Sequence, residues 1–523
     1  MKTQVLIIGG GVTGTGLARD LAMRGVHCIV VEKRDINAGA SGGNHGLLHS
    51  GARYVGSDPE AAVECREEGR LLKQLAPHCI ENTGGLFIAV KGDDPRYIAD
   101  FPGMCERCGI PCRRLDPVEA RELEPELSEN VIAAYQVEDA TVDPFKLSLD
   151  NMAHAQRLGA VLLRDTRVTA FERQGSRIRT VRLIDTRTGR AISIEADQIV
   201  NASGAWAGNV AALAGATIKM VYSKGSMLVT QNRVTGRVIN RLRQASDADI
   251  IVPGGTVSIL GTTSVRVESP DVIYPEIDEV DRIIDDSAAV VPSLATTRYI
   301  RAYCGVRPLV RPECEADDRC ASRGFTLRKH ENAGLENFVS ITGGKLTTYR
   351  LMAEKTADIV CRRLGVSEPC RTRTDPLPSS VDAKWTEPGL APSLWMKKGN
   401  PNDILLCDCE MVPQSTVDSI VDSIQKQNGP AALTAIGLRS RIGKGPCQGT
   451  FCSQRVAAYL YDRRTLNAGQ GIGELRGFLR ERWRGQRPLL WDTSLIQSEL
   501  QEAMHCGLFG LDLPSSLPTE KDR

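Results

Sequence analysis

Three absences bound what this 523-residue chain can be. Its 65 Lys and Arg stand against 64 Asp and Glu, a formal net charge of +1. There is no bulk excess of either sign to draw it to nucleic acid or to an acidic membrane surface, so a charged ligand must be caught locally. The start, Met1-Lys2-Thr3-Gln4, runs straight into the strand-like Val5-Leu6-Ile7-Ile8. It lacks the basic region, apolar stretch and small-residue cleavage site of a secretory signal, which predicts a cytoplasmic protein. Long apolar runs are also missing. The uncharged stretch between Asp197 and Lys219, QIVNASGAWAGNVAALAGATI, has the length of a membrane span, but its Asn, Gln, Ser and Gly make it a poor one. A strand over Ile199 to Ala202, a glycine turn at Gly204 and a helix through Ala212 fit it better, so membrane attachment would be peripheral.

With 41% hydrophobic and 25% charged residues the chain is globular, and its length favours two to four domains. Its 16 cysteines do not predict disulfides in a cytosolic setting, where thiols stay reduced; most should be small core residues. Cys105, Cys108 and Cys112, beside Arg107, Arg113 and Arg114, have the look of a partial metal site, but no fourth ligand lies nearby in the sequence.

The first 32 residues carry a stronger signal. VLIIGGGVTGTGLARDLAMRGVHCIVVE joins an apolar strand, Gly9-x-Gly11-x-x-Gly14, a helix with Ala18 and Leu21 on one face, a stop at Gly25, a second strand and Glu32. Gly9 permits a tight turn, Gly11 lets the backbone approach a pyrophosphate, and Gly14 brings the helix close to the strand. The helix N-terminus then favours the anion. Glu32 can accept hydrogen bonds from an adenosine ribose and would repel a 2′-phosphate. This pattern identifies a dinucleotide site without separating FAD from NAD.

The next segment points to flavin. GASGGNHGLLHSGARY (Gly39 to Tyr54) is a Gly, Ser, Asn and His loop where a nicotinamide domain would have another helix and strand. SITGGKLTTYRLMAEKTADIV (Ser340 to Val360) repeats the strand, glycine turn and helix. With IVNASGAWA, ATVDPFKL, SKGSMLV, DADIIVPGGTVSILGTTS, RAYCGVRPLV and SRGFTL, these motifs resemble the FAD-dependent glycerol-3-phosphate dehydrogenases of the D-amino-acid oxidase-like class, and among them the FAD-carrying subunits of the bacterial anaerobic type.

The resemblance implies a mixed α/β and α+β fold: a Rossmann-type FAD-binding domain of separated segments, an antiparallel-sheet substrate domain around 215–300, and a small helical iron-sulfur domain. The expected boundaries are 1–368 for the oxidoreductase region, 369–403 for a Pro- and Ser-rich linker, 404–460 for the cluster domain and 461–523 for a docking segment. Implied FAD contacts are Gly9, Gly11, Gly14, Glu32, Ser41, Gly42, Asn44, Gly46, Leu47, His49, Ala202, Gly204, Gly343, Gly344, Lys345 and Leu346. Arg53, Arg307, Arg323, Lys345 and Thr347 are implied around sn-glycerol 3-phosphate.

The residues themselves agree on an anion. Arg53, Arg307 and Lys345 sit in turn contexts, and guanidinium forks match phosphate oxygens, each charge-assisted bond contributing roughly 1.5–3 kcal/mol. The expected chemistry is hydride transfer from C2 to flavin N5 while a base takes the hydroxyl proton. Lys345 could polarise the developing ketone or stabilise charge on the reduced ring. His49 could orient the loop, move a proton or simply pack, and the base is not assigned. Two rivals stand: oxidation of another small 2-hydroxy or amino acid, and an electron-transfer scaffold whose catalysis lies elsewhere.

In the tail, Cys407-x-Cys409 and Cys447-x4-Cys452 each lead into a helix. Four thiolates in two close pairs are enough to wrap a cluster, and the pattern resembles the 2Fe-2S domain of the bacterioferritin-associated ferredoxin type. Structural zinc and ordinary thiols are the alternatives. The resemblance also implies two partners, one a further soluble subunit and the other a membrane-anchoring iron-sulfur subunit. It implies as well a quinone as indirect acceptor and a place on the inner face of the cell membrane.

Overall fold

The computed structural model describes residues 1–310, 324–380, 391–426 and 429–511, so Arg323 lies outside the described residues. The chain forms two compact units, one built from most of residues 1–388 and one from 389–523 with two short strand segments.

The first unit is organised by β1 (Lys2–Ile8), α1 (Val12–Met23), β2 (Cys28–Val31), α2 (Pro144–Arg157), β3 (Val161–Leu163), β4 (Ala191–Asn201), β5 (Phe338–Gly343) and α3 (Tyr349–Leu364). The strands run parallel in the order β3-β2-β1-β4-β5, with Ile8 opposite both Val31 and Asn201. Alternate residues of β1 face opposite layers. Val5 and Ile7 pack with α1, α2 and α3, whereas Leu6 and Ile8 join Ile29, Val181 and Phe338 on the other face. Burial on both faces explains why Val5 to Ile8 reads as a continuous apolar run. The strand, turn and helix expected over 199–212 are found as the end of β4, a 3-10 turn at Gly204–Trp206 and a helix over Ala207–Leu213.

The fingerprint glycines divide by cause. Gly9 has φ +115° and a Cβ there would lie 2.5 Å from the Ala202 carbonyl oxygen; at Gly14 it would lie 1.9 Å from the Gly9 oxygen. The protein's own packing demands both. At Gly11 a Cβ would meet only the Ser41 side chain, with the hydroxyl at 3.0 Å, so its backbone borders open space.

A second, mostly antiparallel sheet has nine strands among the described residues. Five come from 220–267, while Gly85–Val90, Arg113–Leu115, Val131–Val137 and Tyr299–Val310 are recruited from elsewhere in the chain. The 369–403 stretch does not begin as a linker: Leu377 is buried, Arg19 donates to the Asp375 and Pro376 carbonyls at 2.6 and 3.2 Å, and Thr372 donates to Asp20.

The second unit packs a hairpin (Leu405–Cys407 with Val412–Pro413) against helices over Gln414–Lys426, Leu433–Arg439, Cys452–Asp462 and Ala468–Trp483. Leu475, Phe478 and Leu479 share one core with Cys407 and Cys452. A boundary at 460 would therefore cut this core, and residues 468–483 belong to it.

Candidate active site and thiol cluster

A cavity of about 1460 Å³ opens at the carboxyl ends of the parallel strands, the position where open α/β sheets bind ligands. Of the residues expected to touch cofactor or substrate, Gly9, Gly11, Glu32, Ser41, Asn44, Leu47, His49, Ala202, Gly204, Arg307, Gly343, Gly344, Lys345 and Leu346 line it. Gly14, Gly42 and Gly46 do not; they shape the wall from behind through close contacts with Gly9, Asn37 and Val142. Ser41 Oγ accepts the Val12 N–H at 2.9 Å at the start of α1. Glu32 accepts the Gly10 and Arg34 N–H groups at 2.8 and 3.0 Å, which fixes its carboxylate at the end of β2.

Two expected substrate residues are placed otherwise. Arg53 does not line the cavity: its guanidinium donates to Asp249 Oδ2 and the Ser246 carbonyl, both at 3.1 Å. Thr347 is fully buried and accepts the His49 backbone N–H at 3.3 Å, so it positions His49.

Arg307 donates to Ser223 Oγ at 3.2 Å, the Thr263 carbonyl at 3.0 Å and the Thr262 hydroxyl. Its plane fits because residue 225 is glycine; a Cβ there would be 2.7 Å from Arg307 Nη2. That is the local reason for the glycine in SKGSMLV. Lys345 follows Gly343 and Gly344, both at positive φ, and its Nζ lies 4.4 Å from the Tyr54 ring centroid.

Between these cations sit two histidines. His45 and His49 rings are 6.1 Å apart, and His49 Nε2 lies 3.3 Å from Tyr54 Oη. Loss of water, then the Arg307 and Arg53 charges, lower His45 from 6.5 to about 3. Burial, then His45, Lys345 and Arg53, hold His49 well below 6.5. At neutral pH a value near 3 leaves about one ring in ten thousand protonated. His45 Nδ1 accepts the Leu47 N–H at 3.2 Å, consistent with a neutral ring. Sequence reasoning missed His45, Tyr54 and Gly225; the His-x3-His spacing of HGLLH was the available signal.

In the second unit, the Cys407 and Cys409 sulfurs are 3.7 Å apart and those of Cys409 and Cys447 3.8 Å. Cys452 contacts both Cys407 and Cys447, closing a ring of four thiols. Backbone N–H groups of Gly449 and Phe451 point to Cys447 and that of Gly443 to Cys452, the donors that thiolate sulfurs attract. Cys105 and Cys112 also contact each other, and Cys105 and Cys108 are buried in the core of the first unit.

The model of the FAD dependent oxidoreductase family matches residues 4–359. The chain belongs to this family. It is 41% identical to a subunit of the anaerobic glycerol-3-phosphate dehydrogenase of Escherichia coli K12, over 98% of this chain and 97% of the relative. It is 38% identical to the subunit of the same name from Haemophilus influenzae, over 98% and 94%. The glycerol-3-phosphate dehydrogenase of Bacillus halodurans, solved with FAD, shares the fold with a TM-score of 0.64 at 21% identity, covering 94% of this chain and 96% of that one. The glycine cradle, the free edge of the α1 N-terminus at Gly11 and the carboxylate of Glu32 fit FAD: its pyrophosphate would lie at the helix start and its ribose at Glu32.

The histidine pair makes a direct prediction. In a titration followed by NMR of histidine-labelled protein, His45 and His49 keep neutral-ring shifts from pH 8 to pH 5; a midpoint near 6.5 for either contradicts the geometry. Both folded values lie below the unfolded one, so the unfolded chain binds more protons. The pair's contribution to stability is complete above about pH 6.5 and is lost as pH falls below it.

Proposed function

We propose that this chain is the FAD-bearing catalytic subunit of an anaerobic-type glycerol-3-phosphate dehydrogenase, converting sn-glycerol 3-phosphate to dihydroxyacetone phosphate. The observation that carries the reading is the pair of neutral imidazoles flanked by Arg307 and Lys345 on the cavity wall. The full-length likeness to relatives named as one subunit of that enzyme supports it.

Bound FAD supplies the two-electron acceptor for the hydride on C2. The residues of the chain do the rest. Arg307 and Lys345 pin the phosphate, and two or three charge-assisted bonds of roughly 1.5–3 kcal/mol each suffice for a small polar substrate. Arg53, held by Asp249, adds to the positive field. Thr347 fixes the His49 backbone, and Tyr54 orients the ring.

The C2 hydroxyl proton goes to an imidazole of the His45 and His49 pair. On their own the cations weaken these bases. A bound phosphate dianion offsets that field, the cause second to burial, and so raises their basicity. The base is thus strengthened by the substrate it serves.

Cys407, Cys409, Cys447 and Cys452 would hold a 2Fe-2S cluster, which supplies one-electron transfer toward a quinone. A single zinc with bonds of about 2.3 Å draws all four sulfurs to about 3.8 Å of one another. Here two sides of the ring are 3.7 and 3.8 Å, so the four thiols stand close enough to converge on metal. The likeness of Cys407-x-Cys409 and Cys447-x4-Cys452 to the 2Fe-2S domain of the bacterioferritin-associated ferredoxin type supports two irons here. The relatives are named as one subunit among several, which supports an assembly with a further soluble partner and a membrane-anchoring one, this chain being peripheral on the inner membrane face. Among the described residues no helix is long and apolar enough to cross a membrane.

Turnover with a dye acceptor is expected on sn-glycerol 3-phosphate and not on 2-hydroxyglutarate, with Arg307→Ala losing at least a hundredfold in kcat/KM while FAD stays bound. Activity on 2-hydroxyglutarate alone, or unchanged turnover in the variant, overturns the assignment. Anaerobically purified protein should carry two irons per chain and, once reduced, an EPR signal that Cys452→Ser abolishes; stoichiometric zinc without iron at these thiols contradicts the cluster.

A further inference from the structure

Away from the cavity, His78, Cys79 and Asp150 bring three metal-ligating atoms within 4.8 Å of one another. His78 and Cys79 belong to the 3-10 turn Pro77–Cys79, Asp150 to α2. His78 Nε2 lies 2.5 Å from Asp150 Oδ2 and 3.3 Å from Cys79 Sγ. A neutral ring nitrogen offers one in-plane hydrogen or one lone pair. Two polar partners nevertheless converge on Nε2, while Nδ1 of the same ring is buried without a partner. With the ring hydrogen on Nδ1, a lone pair, a carboxylate and a sulfur face one point, an arrangement that suits a cation.

We propose that His78, Cys79 and Asp150 form a binding site for a single borderline-soft divalent cation of the Zn(II) class. Imidazole, thiolate and carboxylate are its ordinary ligands. Three bonds form, from His78 Nε2, Cys79 Sγ and Asp150 Oδ2. The Cys79 thiol proton leaves to solvent, and the two ligand anions balance the ion's charge. Tetrahedral bonds of about 2.0–2.3 Å set nitrogen and oxygen about 3.3 Å apart and nitrogen and sulfur about 3.6 Å apart, so the trio has to open by less than an ångström.

His78 and Cys79 are closed from solvent, and the Asp150 side chain is 19% exposed, which gives a way in and a fourth position for water. Lys146, 3.3 Å from the His78 carbonyl oxygen, is a neighbouring cation that the two ligand anions outweigh. The ion would staple the 77–79 turn to α2. At the start of α2 the Pro144 carbonyl accepts Asn37 at 2.9 Å and Phe145 borders Gly42, so the staple braces the glycine-rich loop of the cavity. This proposal does not depend on the identity of the substrate.

The test uses FAD-loaded, iron-replete protein, stripped of loose metal and titrated with Zn²⁺ alone, with metals counted by mass spectrometry after desalting. Wild type is expected to hold one more zinc per chain than Asp150→Asn or Cys79→Ala, with the variants at least tenfold weaker. Iron and FAD content should be equal in all three, since both variants leave the four thiols of the second unit intact. Should a variant misfold, Co²⁺ added to wild type is expected to give a thiolate-to-metal charge-transfer band. Equal zinc in wild type and variants, or no zinc and no cobalt band in wild type, overturns the site.

Discussion

The first unit turns on one electrostatic constraint: two imidazoles held uncharged in a pocket walled by cations. Arg307 and Lys345 line the cavity beside His45 and His49, and Arg53 contributes its field from a buried pair with Asp249. Rings without charge can accept a proton, and the cations on the same wall attract an anion. A phosphorylated alcohol supplies both the proton and the anion, and it offsets the cationic share of what keeps the bases weak, burial being the larger share. The dependence of base strength on bound phosphate would favour such substrates over uncharged polyols of the same size.

Much of the surrounding structure serves to hold these groups. Gly225 vacates the space that the Arg307 guanidinium occupies. Thr347 ties the His49 backbone to the turn before α3. Within α3, Arg350 makes a bidentate pair with Glu68 at 2.8 and 2.6 Å, both side chains being almost fully buried. Removing one partner of such a pair leaves an uncompensated buried charge, so the helix carrying this turn is locked to the helix over Pro59–Leu75.

The dinucleotide half was legible because its physics is local. A strand, three glycines, a helix and an acid occupy 32 consecutive residues, and each glycine has a steric or ligand-facing reason. The strand and helix over 191–213 were legible for the same cause. The second sheet was only partly so, because Gly85–Val90 pairs with a strand about 150 residues further along the chain and with Val131–Val137, and periodicity carries no information about a distant partner. Arg53 looked like a substrate ligand from its glycine-rich loop; its engagement with Asp249 is set by tertiary packing. His45 was overlooked because a histidine in a polar loop has no local mark of its charge state. The linker over 369–403 misled for a similar reason: Pro and Ser indicate irregular backbone, and irregular backbone can still pack, as Leu377 does.

The central claim is that this chain by itself oxidises a phosphorylated secondary alcohol at the cavity beside Gly343 and Gly344. Anaerobic mixing of the purified, FAD-loaded chain with sn-glycerol 3-phosphate, without partner subunits or dye, tests it most directly. The account predicts bleaching of the oxidised flavin absorbance in a single exponential phase that saturates with substrate concentration. A flavin spectrum that stays unchanged at saturating substrate would contradict it.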